Sequence, residues 1–296
     1  VNFKEQMIHR TAAVEEIVYR FLPAETGFAG QLAEAMNYSM KAGGKRLRPM
    51  LMQESYWLFD GNNNEIVEPF MAAIEMIHTH SLIHDDLPAI DNDRFRRGKE
   101  TTHVVYGEAA GILGGDALLN YAYETALSTF SSGTDGERIG NALQVLAAKT
   151  GIHGMLGGQS VDVMNKSRQI SCDELDYIYQ NKTSALLEAS LMVGAILAGA
   201  KKEEAAIMEK VGYYTGMAFQ IQDDILDVTS TTLMLGKPIR SDEKNHKTTY
   251  VTIKGLKEAQ EEVMRMTENA LDLLNMLPQK NEFLYKMIGF LMKREK

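Results

Sequence analysis

Apolar residues return every three or four positions along nearly the whole chain, as at Met7, Val14, Val18 and Phe21 and again at Ile207, Val211, Tyr214 and Ile221. That interval puts them on one face of an α-helix, and no sustained alternation of period two suggests a half-buried strand. The pattern predicts helices over Phe3–Leu22, Lys45–Phe59, Ile66–Leu87, Asp116–Phe130, Arg138–Asn165, Asp173–Ala198, Glu203–Asp227, Glu258–Met276 and Glu282–Met292. Gly43-Gly44, Asp60-Gly61-Asn62, Pro88, Ser132-Gly133, Gly236-Lys237-Pro238 and Pro278 punctuate them. The expectation is an all-α fold: one domain over residues 1–296, a bundle of about ten helices with its ligand site between facing helices.

Composition narrows this picture. With 45% hydrophobic and 24% charged residues, the 296-residue chain can bury a large core. No Pro/Gly/Ser-rich linker and no repeat of solenoid period divides it. The single cysteine, Cys172, leaves no internal disulfide and points to a reducing compartment. Lys4, Glu5, Arg10, Glu15 and Glu16 interrupt the first apolar stretches, and the run from Ala189 to Ala200 is too short for a bilayer, so a cytoplasmic chain without stable membrane insertion is expected. A formal net charge of −9 argues against nucleic acid as a partner. Any anionic ligand must then be held by local cations. The 18 methionines read as core filling.

Two acidic clusters stand out. In His84-Asp85-Asp86-Leu87-Pro88-Ala89-Ile90-Asp91-Asn92-Asp93, an unbroken helix would carry Asp91 about 120° around from Asp85. Pro88 disfavours helical geometry at Leu87 and lets Asp91 return towards Asp85; taken alone, an Asp-Asp pair reads as a solvated helix end. In the second cluster Gln220, Asp223, Asp224 and Asp227 fall on one helical stripe that continues the apolar face of Tyr214 and Ala218. Carboxylates crowded at a half-buried site must be protonated, paired or bound to cations. Hard divalent ions that prefer oxygen suit them; the EF-hand spacing of calcium sites and the ligand motifs of zinc sites are missing.

Cations follow each acidic cluster. Lys45, Arg46 and Arg48 stand at a helix start after a glycine pair, a place that favours anions, and arginine can grip phosphate oxygens in a fork. Arg94, Arg96 and Arg97 follow the first cluster, Lys237 follows the second, and Lys182-Thr183 interrupts an apolar helix. Each taken alone fits an ordinary basic loop. Together they match what a metal-bridged diphosphate requires.

At these residues the chain resembles the trans-isoprenyl diphosphate synthases, most closely the bacterial farnesyl diphosphate synthase type. The segments GGKRLRP, HSLIHDD, DDLPAIDND, RRGK, GDALL, GGQSVDV, NKT, FQIQDDILDV and LGKPIRSDEKNHKTTY carry the resemblance, from about residue 40 to 255. It implies a helical bundle around a central cavity, in which the two aspartate clusters border the reaction site. It implies an isopentenyl diphosphate site at Lys45, Arg48, His78 and Arg97, and an allylic diphosphate site at Arg96, Lys182 and Lys237. Lys182, Thr183 and Gln220 would face the allylic cation. Mg²⁺, about three ions per site with substrate bound, would be held by Asp85, Asp91 and Asp223, the set extending to Asp86, Asp224 and Asp227. A homodimer is also implied; no role is carried over to His246.

The implied reaction joins isopentenyl diphosphate head to tail with dimethylallyl or geranyl diphosphate, giving (E,E)-farnesyl diphosphate. Product length would depend on His80 and Ser81, where the growing tail meets the helix leading into Asp85. The farnesyl type usually has an aromatic residue where this chain has His80, so a C20 product is the alternative. A class I terpene cyclase or an inactive regulatory subunit are further readings; the intact DDILD segment and the paired clusters speak against both.

Overall fold

The computed structural model describes residues 2–133, 135–166, 168–229 and 248–292, and among these the chain is all-α apart from one two-stranded hairpin. The helices are α1 (Phe3–Arg20), α2 (Gly30–Met40), α3 (Leu47–Leu58), α4 (Asn64–Asp85), α5 (Thr102–Tyr106), α6 (Glu108–Leu127), α7 (Gly136–Thr150), α8 (Met155–Met164), α9 (Cys172–Ile178), α10 (Ala185–Ala198), α11 (Lys202–Thr229), α12 (Tyr250–Lys254), α13 (Leu256–Met276) and α14 (Glu282–Met292). Contacts gather them into two compact units, one of Val1–Gln53 and Asn62–Leu143, the other of Glu54–Gly61 and Gln144–Lys296. Among the described residues no helix is long and apolar enough to cross a membrane.

In the first unit α4 is apolar almost all round and buries Ile66, Phe70, Met71, Ile74, Met76 and Ile77, as a helix packed on every side should. It packs on α6, α1 and α2 and delivers Asp85 at its last turn. Beyond it, β1 (Phe95–Arg96) pairs antiparallel with β2 (Lys99–Glu100). This hairpin is too short for an alternating pattern to show in the sequence.

In the second unit α11 is the shared partner of α10 and α13. Where one helix is expected over Asp173–Ala198, α9 and α10 are joined by a π-helical segment, Tyr179–Ser184. An extra residue in a helical turn of this kind often marks a functional site. The segment is clamped by backbone approach: a Cβ on Gly158 of α8 would collide with the Lys182 backbone nitrogen and Asn181, and one on Gly216 of α11 with Ser184.

Other differences from the expected elements have local causes. The stretch Arg138–Asn165 is two helices, α7 and α8, because the chain turns at residues 151–154 although the apolar period runs on. The short α5 and the small-residue start of α6, with Gly111, Gly114 and Gly115, fall below the periodic signal; so does α2. Replacing Gly158 with alanine should destabilise the chain by about 1–3 kcal/mol through overpacking. Gly140→Ala, where the added methyl group meets nothing within 4 Å, should be neutral or stabilise the helix by about 0.5–1 kcal/mol. Urea unfolding of the two variants beside the parent chain checks both signs.

Candidate active site

Asp85 ends α4, and the chain then turns back so that the Asp91 N–H donates to the Asp85 carbonyl at 2.9 Å. The return that Pro88 was expected to permit is therefore present, with Asp85 half-buried and Asp91 exposed. Asp86 points elsewhere. Only 4% exposed, it accepts both the Nε and Nη2 hydrogens of Arg96, at 2.8 and 2.5 Å. Burial pushes the Asp86 carboxyl up, aided by Asp93 and Asp91, while the Arg96 fork opposes the shift. Two residues assigned by resemblance to metal and diphosphate thus hold one another in this structure. A cleft lined by Thr79, Ile83, Arg97 and Thr102 backs the pair.

The glycine pair before α3 has a steric reason. Gly44, at φ 146°, lies under the Arg97 guanidinium, which donates to the Gly43 carbonyl; a Cβ there would strike that group. Arg46 is buried and structural: Nη1 meets Glu75 at 2.7 Å, Nη2 meets the Met40 carbonyl at 2.7 Å, and Glu15 lies at 3.1 Å. Arg48 is different. Burial lowers its pKa to about 10, with Arg97 lowering it further and Glu75 opposing, and its Nε is buried without a hydrogen-bond partner.

His78 lies among these cations. Burial first, then Arg48, Arg97, Arg96 and Arg46, hold its pKa well below the ordinary histidine value, so the ring is neutral. Arg97 is likewise lowered by burial and by Arg46 and Arg96, against Glu75. Lys45 is exposed. Cations that depress one another in a partly desolvated pocket amount to a standing positive potential, which is what an anion would relieve.

The second unit places the remaining residues on the π segment and α11. Lys182 Nζ donates to Asp162 of α8 at 2.6 Å, and Thr183 Oγ1 donates to the Gln220 side chain at 2.9 Å. Asp223 and Gln220 are half-buried, whereas Asp224 and Asp227 are 4% and 2% exposed. Asp224 Oδ2 accepts from the Tyr179 hydroxyl at 2.5 Å and from the Tyr250 N–H at 2.9 Å. Sequence reasoning assigned no part to Asp162, Tyr179 or Tyr250. Asp162 stood inside the quoted GGQSVDV segment and Tyr250 at the end of LGKPIRSDEKNHKTTY, whereas Tyr179 carried no signal. Lys237 and His246 lie outside the described residues.

The donors fit magnesium by type, since all are carboxylate oxygens. Among the described residues no three or more His, Cys, Asp or Glu side chains converge into a metal cage.

On α4, Ser81 Oγ donates to the His78 carbonyl at 2.7 Å, while His80, 3% exposed, contacts the Gly115 carbonyl through Nδ1 at 2.9 Å. A carbonyl only accepts, so Nδ1 carries the proton. Nε2 is then the bare nitrogen, buried without a partner, and the ring meets His84 edge-on at 4.6 Å.

Residues 29–286 match the family model described as polyprenyl synthetase. The chain is 40% identical over 256 residues to a farnesyl diphosphate synthase of Geobacillus stearothermophilus, covering 85% of this chain and 84% of that one. It is 39% identical over 270 residues to a geranylgeranyl diphosphate synthase of Cyanophora paradoxa, covering 91% and 89%. Among solved structures it resembles an apo FPP/GFPP synthase from Zymomonas mobilis, with a TM-score of 0.86 and 30% identity over 98% of this chain and 99% of that one. It also resembles a geranyltransferase from Helicobacter pylori complexed with magnesium and isoprenyl diphosphate, with a TM-score of 0.83 and 28% identity over 99% and 97%.

Burial, with His84 adding to it, lowers the His80 pKa to about 4, while the Gly115 contact and Asp116 oppose. The unfolded chain therefore binds this proton more readily, and the contribution to stability is complete above pH 6.5 and lost as pH falls towards 4. Its size is at most about 3 kcal/mol. His80→Asn, which keeps a donor for Gly115, should flatten the loss of stability between pH 6.5 and 4 in denaturant titrations; an unchanged slope would assign the pH dependence to other groups.

Proposed function

We propose that this chain, which belongs to the polyprenyl synthetase family and is a prenyltransferase, condenses isopentenyl diphosphate with dimethylallyl and geranyl diphosphate to give a C15 product. The observation that carries the reading is the cationic group around His78, with four arginines acting on a neutral imidazole beside an aspartate turn. A dense, partly desolvated set of donors of this kind is suited to a diphosphate.

In this reading Lys45, Arg48, Arg97 and neutral His78 bind the diphosphate of isopentenyl diphosphate. His78 gives one N–H without adding charge, so its contribution holds across the neutral pH range. Asp85 and Asp91 on one unit, and Asp223 on the other, would hold magnesium, which when bound would neutralise charge gathering on the departing allylic diphosphate. Thr183 and Gln220, already joined by a hydrogen bond, offer oxygen dipoles to the allylic cation, and the apolar surroundings keep water from trapping it. The allylic C–O bond breaks, the isopentenyl double bond attacks the freed carbon, and a proton passes to the released diphosphate. We place the protein in the cytoplasm as a homodimer, with Lys237 completing the allylic site.

Asp85→Ala and Asp223→Ala should each lower turnover by at least about a hundred- to a thousandfold while thermal unfolding stays near the parent. Labelled isopentenyl diphosphate with magnesium and each of the C5, C10 and C15 allylic partners, products sized by chromatography, reads this out. Near-normal turnover in either variant would overturn the metal assignment, and a parent enzyme that never incorporates isopentenyl diphosphate would overturn the reaction itself. In the same assay His80→Ala should shift products to longer chains; an unchanged product would remove His80 from the floor of the tail pocket.

A further inference from the structure

The two neighbouring carboxylates of the second cluster do different work. Successive residues of a helix point about 100° apart, and here that rotation separates half-buried Asp223 from Asp224, which is turned into the protein and 4% exposed. One oxygen of Asp224 gathers two donors from distant parts of the chain. The Tyr179 hydroxyl belongs to the first residue of the π segment, and the Tyr250 N–H to the first residue of α12. Both tyrosines are 3% exposed, and their rings stack at 6.2 Å with 30° between planes.

We propose that Asp224 is a positioning residue that fixes the π segment through Tyr179, and with it Lys182 and Thr183, and does not act as a magnesium ligand. The inference rests on the prenyltransfer reading for its kinetic consequence and on geometry alone for its structural one. The first backbone N–H groups of a helix have no partner within the helix. Asp224 supplies one to α12, while the same oxygen anchors the π segment on the opposite side. Oδ2, already accepting a hydroxyl and an amide hydrogen, has little lone-pair capacity left, and burial of the whole carboxylate turns it from the half-buried face that carries Asp223. The requirement at position 224 is thus an acceptor oxygen of the right reach; at position 223 it is negative charge.

The two roles separate under conservative substitution. Asp224→Asn keeps an acceptor and should retain turnover within about tenfold of the parent, whereas Asp224→Ala should lose at least a hundredfold, in both cases with an unchanged half-saturating magnesium concentration. Tyr179→Phe removes the hydroxyl donor and leaves every carboxylate in place; it should lower kcat with the magnesium dependence intact. Asp223→Asn, by contrast, should fail and demand more magnesium.

A second measurement needs neither metal nor substrate. In the full chain without magnesium, amide hydrogen exchange at Tyr250 should accelerate at least tenfold in Asp224→Ala and remain at the parent rate in Asp223→Ala. If Asp224→Asn is as inactive as Asp224→Ala with a raised magnesium requirement, or if Tyr250 exchanges alike in both alanine variants, the proposal is overturned. A parent chain without prenyl transfer would instead refute the proposed reaction and leave the exchange result to decide the tether.

Discussion

A carboxylate withdrawn from water must be given hydrogen-bond donors or positive charge, and this constraint orders the structure. Glu75 has Arg46, Asp86 has the Arg96 fork, Glu188 has Lys149, and Asp224 has Tyr179 and the Tyr250 amide. Each pairing also joins elements. Arg46 links α4 to the approach to α3 and to α1 through Glu15, and Lys149 links α7 to α10 and α11 through Glu188 and Glu209. Asp85, Asp91 and Asp223 retain more exposure than these.

The complementary constraint applies to cations. Arg46 is fully enclosed, and the strong pairing with Glu75 raises its pKa despite burial. Two residues further on, Arg48 is lowered to about 10 because Glu75 only partly offsets burial and Arg97 repels it. It stays protonated at neutral pH, so the pocket holds its charge at the expense of self-energy. A bound anion would recover part of that energy, which is how electrostatic preorganisation lowers the reorganisation needed at the moment of reaction. The depressed histidine in the middle of the pocket is a consequence of the same field: a further proton on His78 would be one cation too many.

Much of this was legible in the sequence, and the losses follow a physical rule. Period and punctuation located α1, α3, α4, α11, α13 and α14 because apolar residues recur along each at helical spacing. Pro88 foretold the return of Asp91 because a proline restricts the residue before it regardless of distant contacts. What the sequence withheld depends on tertiary partners. That Asp86 takes Arg96, that Lys182 meets Asp162, or that Tyr179 reaches Asp224 across 45 positions leaves no periodic trace. The adjacent aspartates in each cluster look interchangeable on paper. Helical rotation and the turn after α4 make them inequivalent.

The π segment shows why such inequivalence is useful. Its wide turn sets Lys182 towards Asp162 on α8 and the next residue, Thr183, towards Gln220 on α11, after which α10 resumes as a helix buried nearly throughout. Holding the irregular turn requires close walls and a fixed end. Gly158 and Gly216 provide the walls, since neither position has room for a methyl group, and the Tyr179 hydroxyl on Asp224 provides the end. The glycines of GGQSVDV and the second aspartate of DDILD, remote in sequence from Lys182-Thr183, are therefore parts of one mechanical unit, and the polar residues it presents owe their placement to groups that need never touch a substrate.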